Sequence, residues 1–222
     1  MTGPVPDPSA APVGRAALAG YPVSLVVGGR RCVVVGGGRI AARKIAGLLA
    51  AGATVHVVSP ELADDVRALA DRGAVTVAER VFEPADLDGA WLACSATGDP
   101  AVNRAVFEAG EARRVWVNSA DDPAHCSYTL MSVVRRGDVV VTIGTGGRSP
   151  ALATWLRDRA RRELGPEYET LLDLLSEARE ELRGSGRSSE DADWRRALDS
   201  GILDLIRAGE IGRAKEVLRS CL

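Results

Sequence analysis

The sequence predicts an α/β fold built on a parallel sheet, followed by a small α+β region and a helical C-terminal domain. Three observations carry this. Between residues 23 and 118, short apolar runs alternate with amphipathic stretches, as strands alternate with covering helices. The β-branched run at residues 31–35 ends in three glycines and leads directly into a helical pattern. Beyond Ser149 the periodicity is helical to the end of the chain.

In order, residues 23–27 form a short apolar run that Gly28 and Gly29 turn, and residues 31–35 form a buried strand. Residues 40–51 read as a helix with Ile40, Ile45, Leu48 and Leu49 on one face, ended by Gly52. A strand at 54–58, a helix at 61–72, a short strand at 75–78 and a buried strand at 91–95 follow. A helix at 100–112 then leads to a strand at 115–118. The pattern changes at residues 127–134 and 138–143, two β-type runs joined by Arg135, Arg136 and Gly137 as a hairpin. Ser149 and Pro150 suit an N-cap and first helical residue. Amphipathic helices at 152–164 and 167–182 and short ones at 192–198, 202–208 and 211–218 complete the chain. Residues 1–20, rich in Pro, Ala and Gly, read as a disordered tail.

Composition narrows the function classes. A net charge of −2 gives no overall field for nucleic acid. Cys32, Cys94, Cys126 and Cys221 are widely spaced with no C-x-x-C, which argues against zinc and against a disulfide framework. Cys32 and Cys94 lie in apolar runs and read as small buried hydrophobes. No apolar run reaches membrane-spanning length, and the N-terminus lacks the pattern of a signal peptide, so a cytoplasmic protein is expected.

The informative motif is Val33-Val34-Val35-Gly36-Gly37-Gly38-Arg39-Ile40-Ala41. Gly36, Gly38 and Ala41 occupy the G-x-G-x-x-A positions where a strand ends and a helix begins, the context of a dinucleotide-binding Rossmann domain. Gly36 permits the tight turn, Gly38 lets a pyrophosphate approach the backbone, and Ala41 lets the helix pack on the strand. The free N–H groups and positive dipole end at residues 38–41 would hold the phosphates. The second strand ends at Val58-Ser59-Pro60-Glu61. Glu61 is placed either to take the ribose hydroxyls or as an ordinary first-turn helix residue. With no arginine nearby for a 2′-phosphate, NAD is favoured over NADP. Arg39, Arg43 and Lys44 crowd the start of the helix against its dipole, so they face an anionic ligand or form a solvated face.

Taken in order, V-V-G-G-G-R-I-A-A-R-K, N-S-A-D-D-P and G-T-G-G-R-S-P resemble one family. It is the bifunctional precorrin-2 dehydrogenase/sirohydrochlorin ferrochelatase, the N-terminal module of siroheme synthase. The similarity runs from about Tyr21 to the C-terminus and is strongest up to about Arg157. The methyltransferase half of the fused enzyme has no counterpart here, so the chain resembles the stand-alone version.

The resemblance implies an NAD-binding Rossmann domain at 21–130, a dimerisation region at 131–163 and a helical domain at 164–222, assembled as a homodimer. It implies NAD-dependent oxidation of precorrin-2 to sirohydrochlorin and, in part of the family, Fe²⁺ insertion to give siroheme. It assigns NAD contacts to Arg39, Ile40, Pro60 and Glu61, within a cofactor set of residues 36–41 and 59–61 that includes Gly37 and Ser59. The family's essential aspartate corresponds to Asp121. A carboxylate there, at the C-terminal end of a strand, could take protons in both reactions; Asp121 also suits an ordinary turn in Asp121-Asp122-Pro123. The polycarboxylate substrate calls for arginines, with Arg135, Arg136 and Arg148 as candidates. The segment Thr145, Gly146, Gly147, Arg148, Ser149 could hold a further carboxylate at a helix N-terminus. His125 could assist proton transfer or guide iron, or be a plain loop residue; no other metal ligand stands out. His56, mid-strand, reads as structural. The rivals are a non-catalytic NAD-binding sensor or regulatory module and a dehydrogenase for a smaller substrate.

Overall fold

A computed structural model describes residues 20–188, 190 and 192–222. The tail expected at residues 1–20 falls outside these, apart from Gly20. The chain divides into two compact units, Met1–Leu130 and Met131–Leu222.

In the first unit, β1 (Arg31–Val35), β2 (Thr54–Val58), β3 (Thr76–Ala78), β4 (Leu92–Ser95) and β5 (Trp116–Ser119) form one sheet. All its pairings are parallel, in the order β3-β2-β1-β4-β5. That order is the Rossmann arrangement. Helices α1 (Arg39–Ala50), α2 (Asp64–Asp71) and α3 (Pro100–Arg113) make the crossovers.

The strands carry apolar residues on both faces because helices cover both. On one face Val34, Val55, Val57 and Cys94 pack with Ala41 and Ile45 of α1 and Val66 of α2. On the other, Val33, Val35, Ala93 and Val117 pack with Val106 and Ala109 of α3. Cys32 and Cys94 are buried as expected, and burial pushes the Cys32 thiol up to about 11.

His56 points to the second face, its Nδ1 2.8 Å from Thr76 Oγ1. Burial, then the charge of Arg31, hold its pKa below the ordinary 6.5. The unfolded chain therefore takes up this proton first as pH falls. The contribution to stability is complete above about 6.5 and is lost as pH drops through the lower folded value. In His56→Asn the melting temperature should fall less steeply between neutral and mildly acid pH than in the parent. Identical slopes would contradict this assignment.

The second unit begins with an antiparallel hairpin, β6 (Ser132–Arg136) and β7 (Val139–Ile143), joined by Gly137 and Asp138. Arg135 and Arg136 are thus strand residues, not the turn that was expected. Gly137, at φ 53, supplies the left-handed conformation a two-residue turn requires. Residues 127–131 precede the strand rather than extending it. Helix α4 (Pro150–Glu163) packs on the hairpin and starts as the sequence predicts, with the Ser149 side chain accepting from Leu152 N–H. Then α5 (Glu167–Gly184), α6 (Trp194–Leu198), α7 (Ile202–Arg207) and α8 (Ile211–Cys221) enclose a separate core around Leu171, Leu174, Ile202 and Leu218.

Candidate functional site

A cleft of about 670 Å³ opens at the C-terminal ends of β1, β2 and β4. This is where the strand order reverses direction, the usual ligand crevice of such sheets. Three strand-to-helix connections form its walls: residues 36–38, 59–63 and 96–99.

The first wall shows why glycine is needed. Gly36 has φ 118, and a Cβ there would overlap the Ala96 carbonyl. A Cβ on Gly37 would run into the Glu61 carbonyl and crowd Ser59 Oγ. Among the described residues, nothing lies within 4 Å of where a Gly38 Cβ would stand. Gly36 and Gly37 are therefore dictated by the protein's own backbone. Gly38 leaves space open at the N-terminus of α1. That helix has no side-chain cap and no acidic residue in its first turn, so donors at 39–41 remain for an anion. Ala41 is fully buried against the sheet, while Arg39 and Ile40 are exposed. A dinucleotide fits this arrangement, with its diphosphate at the uncapped helix end.

The second wall is clamped to the first. Gly36 N–H donates to Val58 O at 2.9 Å, and Ala63 N–H to Gly37 O at 2.8 Å. Ser59 is buried, and its hydroxyl donates to Glu61 O at 2.6 Å. Pro60 and Glu61 are exposed at the cleft. Because α2 starts at Asp64, not at residue 61, Glu61 belongs to the loop rather than the first helical turn.

Sequence reasoning missed the third wall. Thr97 Oγ1 donates to Asn103 Oδ1 at 2.8 Å, Ser95 Oγ donates to the same oxygen, and Asp99 caps α3 by accepting from Ala101 N–H. The signal was present: A-T-G-D-P ends a buried strand with an N-cap Asp and a Pro at the first helical position.

Asp121 lies just past β5, whose Ser119 pairs with Ser95 at the end of β4. It is exposed, holds the left-handed conformation at φ 58, and has no hydrogen-bond or ion-pair partner among the described residues. His125 Nδ1 sits 2.7 Å from Asp122 Oδ2. An ionised carboxylate only accepts, so Nδ1 carries the hydrogen. The ring also meets Phe107 edge-on at 5.4 Å between centroids. No group of three or more His, Cys, Asp or Glu side chains suited to a metal occurs among the described residues.

Lys44 does not join Arg39 and Arg43 at the helix surface. Half-buried, it donates to Asn118 Oδ1 at 2.5 Å. Asn118 Nδ2 donates to Tyr128 O at 3.0 Å. Beneath them Cys94 Sγ lies 3.1 Å from Tyr128 Oη, and burial raises the pKa of both groups.

The remaining expected residues belong to the second unit. Arg135 and Arg148 are exposed. Arg136 is engaged at the C-terminal end of α4, donating to Leu164 O at 2.8 Å and Arg161 O at 3.1 Å. Thr145 Oγ1 donates to Ser149 O and accepts from Ser149 N–H, and Gly146 and Gly147 both have positive φ. This makes a self-closed loop ahead of α4.

Comparison with known proteins finds a matching family, sequence relatives and a solved structure. Residues 23–132 match a family described as putative NAD(P)-binding. The chain is 34% identical over 203 residues to the siroheme synthase of Nitrosococcus oceani, covering 90% of this chain and 43% of that one. For the siroheme synthase of Methylobacillus flagellatus the identity is 36%, covering 90% and 44%. The chain thus spans less than half the length of these relatives. The solved structure of SirC, precorrin-2 dehydrogenase, superimposes with a TM-score of 0.72 at 26% identity, covering 90% of this chain and 98% of that one.

Proposed function

We propose that this chain is a member of the siroheme synthase N-terminal module family and oxidises precorrin-2 to sirohydrochlorin with NAD⁺, a reading supported by its similarity to siroheme synthases and to SirC. The observation that carries the reading is the cleft at the strand-order switch point, with the uncapped α1 on one side and the Asp121 loop beyond β4 and β5. Bound NAD supplies the hydride acceptor. Residues 38–41 bind the diphosphate through backbone N–H groups, with Gly36 and Gly37 shaping the turn beside it, and residues 59–61 take the ribose, where Glu61 disfavours a 2′-phosphate. The substrate loses a hydride and a proton. The Asp121 carboxylate accepts that proton and passes it to solvent.

Arg135, Arg148 and the backbone of Gly146 and Gly147 offer carboxylate-binding groups on the second unit. The Asp122–His125 pair favours a second activity at the same loop, Fe²⁺ insertion into sirohydrochlorin, read by insertion of Fe²⁺ above the spontaneous rate. With Nδ1 engaged by Asp122, Nε2 is the ring nitrogen left to receive the metal. A homodimer is supported by the two-stranded hairpin, too small to stand alone, and by exposed Val133, Val140, Leu152 and Trp155 in the same unit. The mass in solution reads it. No helix among the described residues is long and apolar enough to cross a membrane, and we place the reaction in the cytoplasm.

The test is turnover. Protein supplied with precorrin-2 and NAD⁺ should form NADH and sirohydrochlorin in equal amounts. If NADH stays at the no-enzyme level, the non-catalytic sensor replaces this reading.

A further inference from the structure

We propose that Lys44 and Asn118 are positioning residues that pin the Asp121 loop to α1, the helix that opens the cofactor cleft. The proposal rests on the reading of Asp121 as the reacting carboxylate. Neither Lys44 nor Asn118 lines the cleft, so neither is needed there to hold a dinucleotide.

The pin is built from both ends of one buried amide. Asn118 is 8% exposed and stands next to the last residue of β5. Its oxygen accepts from the Lys44 ammonium, which α1 delivers from its second turn. Its Nδ2 donates to Tyr128 O and lies 3.6 Å from Cys126 Sγ, on the chain returning from the loop. Cys126 closes the neck below. Its sulfur accepts from Ser119 N–H at 3.2 Å and lies 3.3 Å from Asp122 O, beside the bridge between Asn118 and Cys126. Among the described residues Asp121 has no partner of its own, so the neck sets where its carboxylate stands. A charge-assisted bond to a buried amide is among the stronger polar contacts. Without Lys44, the Asn118 oxygen is left buried and unpaired, and the neck opens more readily.

The experiment uses the whole chain and three readouts for Lys44→Met: NAD⁺ affinity, kcat and KM for precorrin-2, and the alkylation rate of Cys126 by iodoacetamide, resolved by peptide mass. NAD⁺ affinity should stay within about twofold, as separate sites act independently. The kcat should fall about a hundredfold with KM little changed, the scale expected when a reacting group is displaced by about 1 Å. Cys126 should alkylate about tenfold faster as the loop opens. Loss of the Lys44 charge alone works the other way, because that cation lowers the thiol pKa. Faster alkylation therefore reports loop opening.

Asn118→Ala should give the same pattern and serves if Lys44→Met does not fold. Lys44→Arg should recover part of both kcat and protection. Unchanged alkylation and unchanged kcat in a folded Lys44→Met would overturn the pin. Faster alkylation in Lys44→Met, together with full turnover in Asp121→Asn, would keep the pin and remove Asp121 from the chemistry. Inactive Asp121→Asn with unchanged alkylation in Lys44→Met would do the reverse.

Discussion

Asp121→Asn should lower kcat for precorrin-2 oxidation by about 10²–10⁴-fold, the span a positioned proton acceptor contributes. Asparagine is the informative replacement. Residue 121 holds φ 58, a conformation that Asp and Asn tolerate and most other residues do not. Asn keeps the backbone and the volume and removes only the negative charge. Asp121→Ala also removes the charge but adds backbone cost. Comparing the two separates chemistry from loop shape. NAD⁺ should bind both variants as it binds the parent, because Asp121 is not among the residues lining the cleft. A kcat for Asp121→Asn within about twofold of the parent would take the residue out of the mechanism, since a loss that small falls below any proton-transfer contribution.

Gly37→Ala should weaken both the fold and the cofactor site, whereas Gly38→Ala should weaken the site alone. The two positions differ in what a methyl group meets. At Gly37 it meets the Glu61 carbonyl, which is backbone and cannot swing aside. The 59–63 loop must then move, straining Ala63 N–H on Gly37 O and Ser59 on Glu61 O. Overpacking of this kind costs about 1–3 kcal/mol, visible as a lower melting temperature, and it displaces the residues proposed for the ribose. At Gly38 the methyl group meets no atom of the described residues, so stability should hold while the diphosphate loses its close approach. Thermal unfolding and an NAD⁺ titration on both variants check this. Equal melting temperatures for Gly37→Ala and the parent would show that the loop is not clamped as described.

The sheet and its crevice were legible because the signals are local. A buried run ending in three glycines fixes β1 and the start of α1, and Ser149-Pro150 fixes the start of α4. The middle glycine was not legible, since the G-x-G-x-x-A pattern leaves that position open. Its reason is a carbonyl 24 residues further on, which only the folded chain brings near. The same holds for Lys44. By sequence it joins a conflict of like charges at the helix start, yet its partner Asn118 is 74 positions away. The hairpin turn was misplaced because Arg135 and Arg136 look like loop residues by charge. In fact Val134 supplies the buried face of the strand, Arg135 points outward, and Arg136 reaches the end of α4. Long-range polar contacts have no period, so residue patterns along the chain do not reveal them.

The uncapped N-terminus of α1 is the proposed diphosphate site, on which cofactor binding and turnover both depend. An NAD⁺ titration of the folded protein, followed by heat and repeated with Gly38→Ala, addresses this directly. The expected result is saturable binding to one site per chain that weakens sharply in the variant, with both proteins melting alike. An absence of binding in the parent, or equal binding in the variant, would contradict it.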